Sequence, residues 1–413
     1  MKGAGRVRVV VCHAVFLSLA VLCVSCGGGS SSSQQSTATT TSSSGDNVQP
    51  IVVNSGPAGN YANGVFTSVT VCVPSSSTCQ TISGILVDTG SYGLRLLSSA
   101  GGGALTISLP QQTGSDGNPI AECAPFVSGY TWGPVQSADV TIAGEKAASL
   151  PVQVIDPSFA AIPSGCTSMG IPEQDTLQDL GANGILGVGP YAQDCGNACA
   201  QGGSSNPGLY YECASSSCTV AAESLAQQVQ NPIPLFTTDN NGVILELPSV
   251  SGAVPSLSGS MIFGIGTESN NGLGSATVYA INANGEFSTS YNGQSYPAFI
   301  DSGSNAYFFL DSATTGLADC SDATGFYCPP SSTNFSALTA GSGSTPGVAT
   351  SINFAVGNAD TLFSNANDFV FSTLGGPNPG MFDWGLPFFF GRNVYTAIAA
   401  QNTPAGQGPY WAY

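Results

Sequence analysis

Two short stretches set the strongest limit on how this chain can fold. ILVDTGS (Ile85 to Ser91) and AFIDSGS (Ala298 to Ser304) each drive an aspartate out of an apolar, β-type run into a turn made of a hydroxyl residue and a glycine. A carboxylate at the end of a buried strand is costly unless its charge is paired, shared or removed. One such tetrapeptide is an ordinary turn. Two copies, one in each half of a 413-residue chain, predict a fold in which the two turns meet.

The rest of the sequence has an all-β texture. Glycine (53), proline (26) and Asn-Gly pairs break the chain into short β-branched and aromatic runs such as GVFTSVTVCV, SADVTIAG, GVILELP and SATVYAI. The clearest helical window is AAESLAQQVQ, where Ala221, Leu225 and Val229 recur at helical spacing before Pro232. Each half carries a hairpin-like pair of runs leading into its Asp turn. An apolar, glycine-containing segment follows about a hundred residues later, GANGILGVG in the first half and WGLPFFFG in the second. The pattern predicts a duplication, with an N-terminal lobe over 50–245 and a C-terminal lobe over 246–413.

The N-terminus reads as an export signal. Lys2, Arg6 and Arg8 precede an apolar run from Val9 to Val24, which ends in Val24-Ser25-Cys26 and then GGGSSSS. The run is short for a membrane-spanning helix. A small residue before a cysteine resembles the lipobox of bacterial lipoproteins, which implies a signal over 1–26 and lipidation of Cys26. The other reading is an ordinary cleaved signal and a secreted protein. Residues 27–49 hold no core-forming pattern and are expected to be a tether, reaching on the order of 25 Å. The expected location is the bacterial cell envelope, on the periplasmic or outer-membrane face, with the lipid as the only membrane contact.

Loss of the signal removes His13, the only histidine, and leaves Arg95, Lys146 and Arg392 against 24 acidic residues. Nucleic acid and anionic membrane surfaces are poor partners for such a chain. Without histidine, Ser-His-Asp and Cys-His catalysis and His-based metal sites are excluded. Lys146, in TIAGEKAAS, is not in a phosphate-loop context. Carboxylates are left as acid and base, and no metal or cofactor is expected.

Of 13 cysteines, Cys12 and Cys23 lie in the signal and Cys26 is the anchor. An even remainder in an exported chain predicts disulfides. Local spacing favours Cys72 with Cys79, Cys213 with Cys218 and Cys320 with Cys328. It leaves the pairing of Cys123, Cys166, Cys195 and Cys199 open.

If the two turns meet, Gly90 and Gly303 allow close backbone approach, and Thr89 and Ser302 can hydrogen-bond across to the opposite turn. Ser91 and Ser304 can donate to the outer carboxylate oxygens. Asp88 and Asp301 cannot then both ionise, so they share a proton and titrate as a unit. Such a pair can activate a water with its ionised member while the protonated member polarises a carbonyl. The chemistry implied is amide hydrolysis.

With these residues in view, the chain from about 57 to 413 resembles the pepsin-like aspartic peptidases. The resemblance is carried by ILVDTGS-YGL, with Leu94 at an apolar position of the family's pattern, and by GANGILGVG, SGSMIFGIG, AFIDSGSNAYFF and RNVYTAI. It implies an all-β, bilobal double barrel with a cleft between two duplicated lobes and few short helices, with Asp88 and Asp301 as the catalytic pair. Overall the chain is also similar to exported bacterial lipoproteins of unknown function. It departs from the peptidase pattern at Arg95, where the family has tryptophan, which puts a cation near the expected cleft wall, open either to contact substrate or, like Arg392, to satisfy buried carboxylates. A second departure is at Gly385-Leu386-Pro387, where the family has two apolar residues and glycine. In CAPFVSGYTWGPV, the residue of the covering flap is Phe126 by spacing from Gly133 and Tyr130 by chemistry, with Trp132 nearby.

Two functional expectations follow. In the first, a monomeric, envelope-tethered endopeptidase cuts peptide or unfolded protein with Asp88 and Asp301, the hairpin from Phe126 to Trp132 closing over the substrate. In the second, a lipoprotein keeps the two-lobed fold without turnover and acts as a peptide-binding or scaffold module.

Overall fold

The structure, a computed structural model, describes residues 45–214, 217–342 and 349–413. The signal over 1–26, Cys26 and residues 27–44 of the tether lie outside the described residues. Val48 and Gln49, grouped with the tether from the sequence, instead begin a strand, Val48–Asn54.

Strands dominate, and the α-helices among the described residues are single turns of four residues. The helix expected over 221–230 is absent, and turns take its place. Its apolar residues do not share a face, since Val229 is fully buried while Leu225 is exposed. Its amide side chains satisfy backbone carbonyls instead. Gln228 Nε2 donates to Gly196 O and Glu223 O, and Gln230 Nε2 donates to Leu225 O.

In the first lobe six strands form a closed barrel. Gly64–Cys72, Cys79–Asp88, Gly184–Val188, Tyr92–Leu97, Glu145–Ile155 and Gly129–Ile142 pair in that order, and residues 70–72 pair with 139–141 to join the last strand to the first. Closure leaves no free edge in this ring. Alternate residues point inward, so that Val69, Val71, Ile85, Val87, Leu94, Leu96, Val140 and Val152 share one core. The second lobe is a seven-stranded sheet centred on Gln294–Ile300, Asn378–Trp384 and Tyr307–Leu310. Its core is aromatic, with Phe309, Phe335, Phe354, Phe382 and Trp384 in mutual ring contact.

The lobes share a sheet rather than a linker. Val48–Asn54 pairs with Gly64–Cys72 on one side and with Leu257–Phe263 on the other. Gly242–Leu247 pairs with Leu257–Phe263 and with Arg392–Ala397. The boundary expected between 245 and 246 therefore falls inside a strand. Asn63 adds a second tie. Its Nδ2 donates to Asn305 O (2.8 Å) and Phe371 O (2.9 Å), and its Oδ1 accepts from Phe371 N–H (2.7 Å).

The expected duplication is visible in the Asp-turn units. Cys79–Asp88 and Tyr92–Leu97 are consecutive, yet Gly184–Val188 lies between them, parallel to the first and antiparallel to the second. Gln294–Ile300 and Tyr307–Leu310 flank Asn378–Trp384 in the same way. Glycine sits where the middle strand passes under each turn. A Cβ on Gly187 would meet Tyr92 N at 2.5 Å, and one on Gly385 would meet Ala306 O at 2.1 Å. Val87 pairs with Leu186 and Ile300 with Trp384, so Gly385 is the counterpart of Gly187. The second lobe's equivalent of Ile185-Leu186-Gly187 is thus Asp383-Trp384-Gly385, not the expected Gly385-Leu386-Pro387.

All ten cysteines among the described residues form disulfides. The three local pairs are those expected from spacing, and the open four resolve as Cys123–Cys166 and Cys195–Cys199. Five disulfides belong to an oxidising, non-cytoplasmic compartment.

Candidate active site

The ends of Cys79–Asp88 and Gln294–Ile300 bring the two Asp turns together, and their hydroxyl residues lock them. Thr89 N–H donates to Ser302 Oγ (3.1 Å), and Ser302 N–H donates to Thr89 Oγ1 (2.9 Å). The hydroxyls continue outward, Thr89 Oγ1 to Ile300 O (3.2 Å) and Ser302 Oγ to Val87 O (2.8 Å). Every atom of this four-bond lattice is buried.

The lattice places the two carboxyls face to face. Asp88 Oδ1 accepts from Gly90 N–H (2.8 Å) and Oδ2 from Ser91 Oγ (2.5 Å). Asp301 repeats this with Gly303 N–H (2.7 Å) and Ser304 Oγ (2.8 Å). A Cβ on Gly90 would lie 2.6 Å from Asp301 Cγ, and one on Gly303 would lie 2.7 Å from Asp88 Oδ1. Only glycine permits that approach. The same Gly303 Cβ would lie 3.1 Å from Asp301 Oδ1, so the two carboxyls crowd one point, and both residues are fully buried. Burial, then the Asp88 and Asp383 carboxyls, push Asp301 well above the usual carboxylate range, and the Ser304 hydroxyl pulls against them. Two acids in such contact hold a proton between them.

The sequence missed Asp383. It lies on Asn378–Trp384, is 1% exposed, and its Oδ2 is 2.6 Å from Ser304 Oγ. Burial drives it well above the carboxylate range; the Ser304 hydrogen bond lowers it and Asp88 raises it. A signal was present, an acid flanked by Phe382 and Trp384 ahead of a glycine in an otherwise apolar run. Tyr92 was also missed. Its ring meets Tyr191 edge-on at 5.4 Å, and Tyr191 Oη donates to Asn282 O of the other lobe (2.9 Å). Burial, then Tyr191 and the two aspartates, raise the Tyr92 hydroxyl far above its ordinary value, so it stays neutral.

Arg95, open from the sequence between a substrate contact and a partner for buried carboxylates, takes the second role within the first lobe. It is 3% exposed; its Nη2 pairs with Glu122 (2.6 Å) and Asp194 (2.9 Å), and its Nη1 donates to Tyr92 O (2.8 Å). Tyr210 Oη donates to Asp194 and accepts from Val229 N–H, completing the cluster. Burial pushes Glu122 up, Arg95 pulls it back, and Asp194 adds to the push. Arg95 also borders a cavity of about 50 Å³ that adjoins the Asp88 turn, together with Gly90, Ser91, Tyr92, Glu122 and Phe126.

The hairpin expected to cover the site pairs Ile120–Phe126 with Gly129–Ile142. Phe126 lines the cavity. Tyr130 and Trp132 do not. They pack with Tyr211 and the Cys123–Cys166 disulfide, and Trp132 Nε1 donates to Ala160 O. Alternation along the strand turns them to its other side. Among the described residues, the one grouping close enough to hold a metal ion is Cys320, Cys328 and Asp360, and both of its cysteines are spent in a disulfide.

Comparison with curated proteins found no match. Among solved structures the chain is similar to the crystal structure of aspartic proteinase from Irpex lacteus, at 15% identity and a TM-score of 0.49, over 88% of this chain and 96% of that one. The family described as protein of unknown function, DUF3443, matches residues 43–413, a span that takes in every described residue, and the chain belongs to it.

Proposed function

We propose that this protein is an exported aspartic endopeptidase, anchored to the bacterial envelope through a lipid on Cys26, that cuts extended peptide or unfolded protein without metal or cofactor. The observation that carries this reading is the close approach of the Asp88 and Asp301 carboxyls, each held by a glycine N–H and a serine hydroxyl. A water held between them loses a proton to the ionised member as its oxygen attacks the amide carbon. The protonated member gives its hydrogen to the carbonyl oxygen. The tetrahedral gem-diol collapses as the protonated member gives its hydrogen to the leaving nitrogen and the ionised member takes the proton of one diol hydroxyl, which leaves the pair with one shared proton. The test is cleavage of an unfolded protein at about pH 3 to 5, where one shared proton is expected. Asp88→Asn and Asp301→Asn should each lower kcat by at least about a hundredfold, and retention of activity in either removes the mechanism.

A second reading, a peptide-binding or scaffold module without turnover, is favoured by the complete burial of both aspartates and by the enclosure of Arg95. A statine-type transition-state mimic separates the two readings. It should raise Tm in the parent protein and not in Asp301→Asn if the pair is a working catalyst.

A further inference from the structure

Ser304 has one hydroxyl hydrogen and two carboxyl neighbours. Its Oγ is 2.8 Å from Asp301 Oδ2 and 2.6 Å from Asp383 Oδ2, and all three side chains are shielded from water. A hydroxyl donates once and accepts at its lone pairs, so at these distances one of the carboxyls supplies the second hydrogen. Either Asp383 is the acid and the Ser304 hydrogen goes to Asp301, or Asp301 holds a proton on its outer oxygen and the Ser304 hydrogen goes to Asp383.

The surroundings of Asp383 decide between these. Its other oxygen, Oδ1, is buried with no hydrogen-bond partner. As a carboxylate, Asp383 would carry a buried charge on a single donor; as a neutral acid it leaves only a carbonyl oxygen unpaired, at much lower cost. The strand partners at its register, Phe299 and Phe308, offer no charge. The charged or titratable groups acting on it are Asp88 and, through Ser304, Asp301. Arg392 of the same lobe is engaged with the Phe388 carbonyl and ring. The first lobe has no such acid, because Ile185 stands at the corresponding register position.

We propose that Asp383 is a third acid of this site and a positioning residue for the pair's proton: it donates to Ser304 Oγ, commits the Ser304 hydrogen to Asp301 Oδ2, and so keeps the proton shared by Asp88 and Asp301 on the edge where they face each other. Loss of the Asp383 proton reverses the chain. The Ser304 hydroxyl turns toward Asp383, and the shared proton can withdraw to the outer oxygen of Asp301, away from any bound carbonyl. The catalytic consequence, an alkaline limb of activity set by Asp383, rests on the peptidase reading. The proton chain does not.

The test compares Asp383→Asn, whose amide is a permanent donor to Ser304, with Asp383→Leu, which fills similar space without one. The asparagine variant should keep kcat in acid within about threefold and move the alkaline limb upward, whereas the leucine variant should lose about tenfold in kcat with little change in KM. Equal losses in both, or an unmoved limb in Asp383→Asn, overturn the proposal. Infrared difference spectra of the substrate-free protein, followed through a pH titration, supply a readout independent of turnover, since burial raises the Asp383 carboxyl above its ordinary range. One carboxylic-acid C=O band present in the parent protein should be missing from Asp383→Asn, and an unchanged band overturns the proton chain. Loss of that band in a protein inactive at every pH sustains the chain and sinks only the peptidase reading. The isosteric asparagine keeps the packing should the leucine variant fail to fold.

Discussion

Thr89 and Ser302, one from each lobe, exchange reciprocal hydrogen bonds between the backbone N–H of each and the hydroxyl of the other, at 3.1 and 2.9 Å. This exchange fixes the distance between two carboxyls contributed by remote parts of the chain. Thr89→Val keeps the shape but strands the Ser302 N–H in a buried site. An unmet buried donor costs about 1–3 kcal/mol, so urea unfolding should show a loss of that order. Thr89→Ser should be nearly neutral. An equal loss in both variants would mean that the methyl group, not the hydroxyl, holds the turns.

Arg95 is held by two buried acids and a carbonyl. Its removal leaves Glu122 and Asp194 without their cation, and breaking a buried ion pair from one side costs about 3–5 kcal/mol. Arg95→Leu should therefore lose stability on that scale, measured by denaturant midpoint. Arg95→Leu combined with Glu122→Leu should recover part of the loss. A variant with parental stability and a changed KM would restore Arg95 to the role of substrate contact.

The buried acids make stability fall as pH rises. Asp301 and Asp383 have folded pKa values raised above the ordinary 3.8. Each holds a proton in the folded protein that the unfolded chain has already lost, so the contribution is complete below that ordinary value and disappears as pH climbs through the raised one. The slope in that window is about 1.4 kcal/mol per pH unit for each such proton. Glu223, pushed to about 7 by burial and then by Glu212, works in the same direction. Thermal unfolding from pH 4 to 8 should show a falling Tm, and Asp383→Asn should flatten it. A Tm that rises across this range would contradict the burial of neutral acids.

Four of the five disulfides close loops of eight residues or fewer, whereas Cys123–Cys166 spans 43. Chain entropy assigns a loop of that length about 4 kcal/mol. It also ties the strand carrying Phe126 to the 164–167 turn. Cys123→Ala with Cys166→Ala should lower Tm more than removal of Cys213–Cys218 does. Comparable losses would place the stabilisation in local packing instead.

Much of the molecule was legible from local pattern. The all-β texture, the repeated Asp turn, the glycines beside each aspartate and the three short-range disulfides follow from residue type and spacing, because turn chemistry and side-chain alternation act over a few residues. The export signal and Cys26 are expectations of the same local kind, on residues outside the described structure. The helix at 221–230 failed because spacing records periodicity and not competition; its glutamine side chains found carbonyls that only folding brings near.

Tertiary structure alone decided which side chains meet. Spacing could not say which of its two open roles Arg95 would take or that Glu122 and Asp194 would be its acids, or that Tyr130 and Trp132 would turn toward Tyr211 while Phe126 met the cavity. Nor could it bring Asp383 to Ser304. These outcomes depend on strand register across separations of tens to hundreds of residues, where a shift of one position sends a side chain to the opposite face. The sequence by itself determined that two acidic turns would exist and what each could do locally. Only the packed lobes determined that the acids share one buried environment, and it is their close approach there, away from bulk solvent, that turns two carboxyls into a single proton-holding unit.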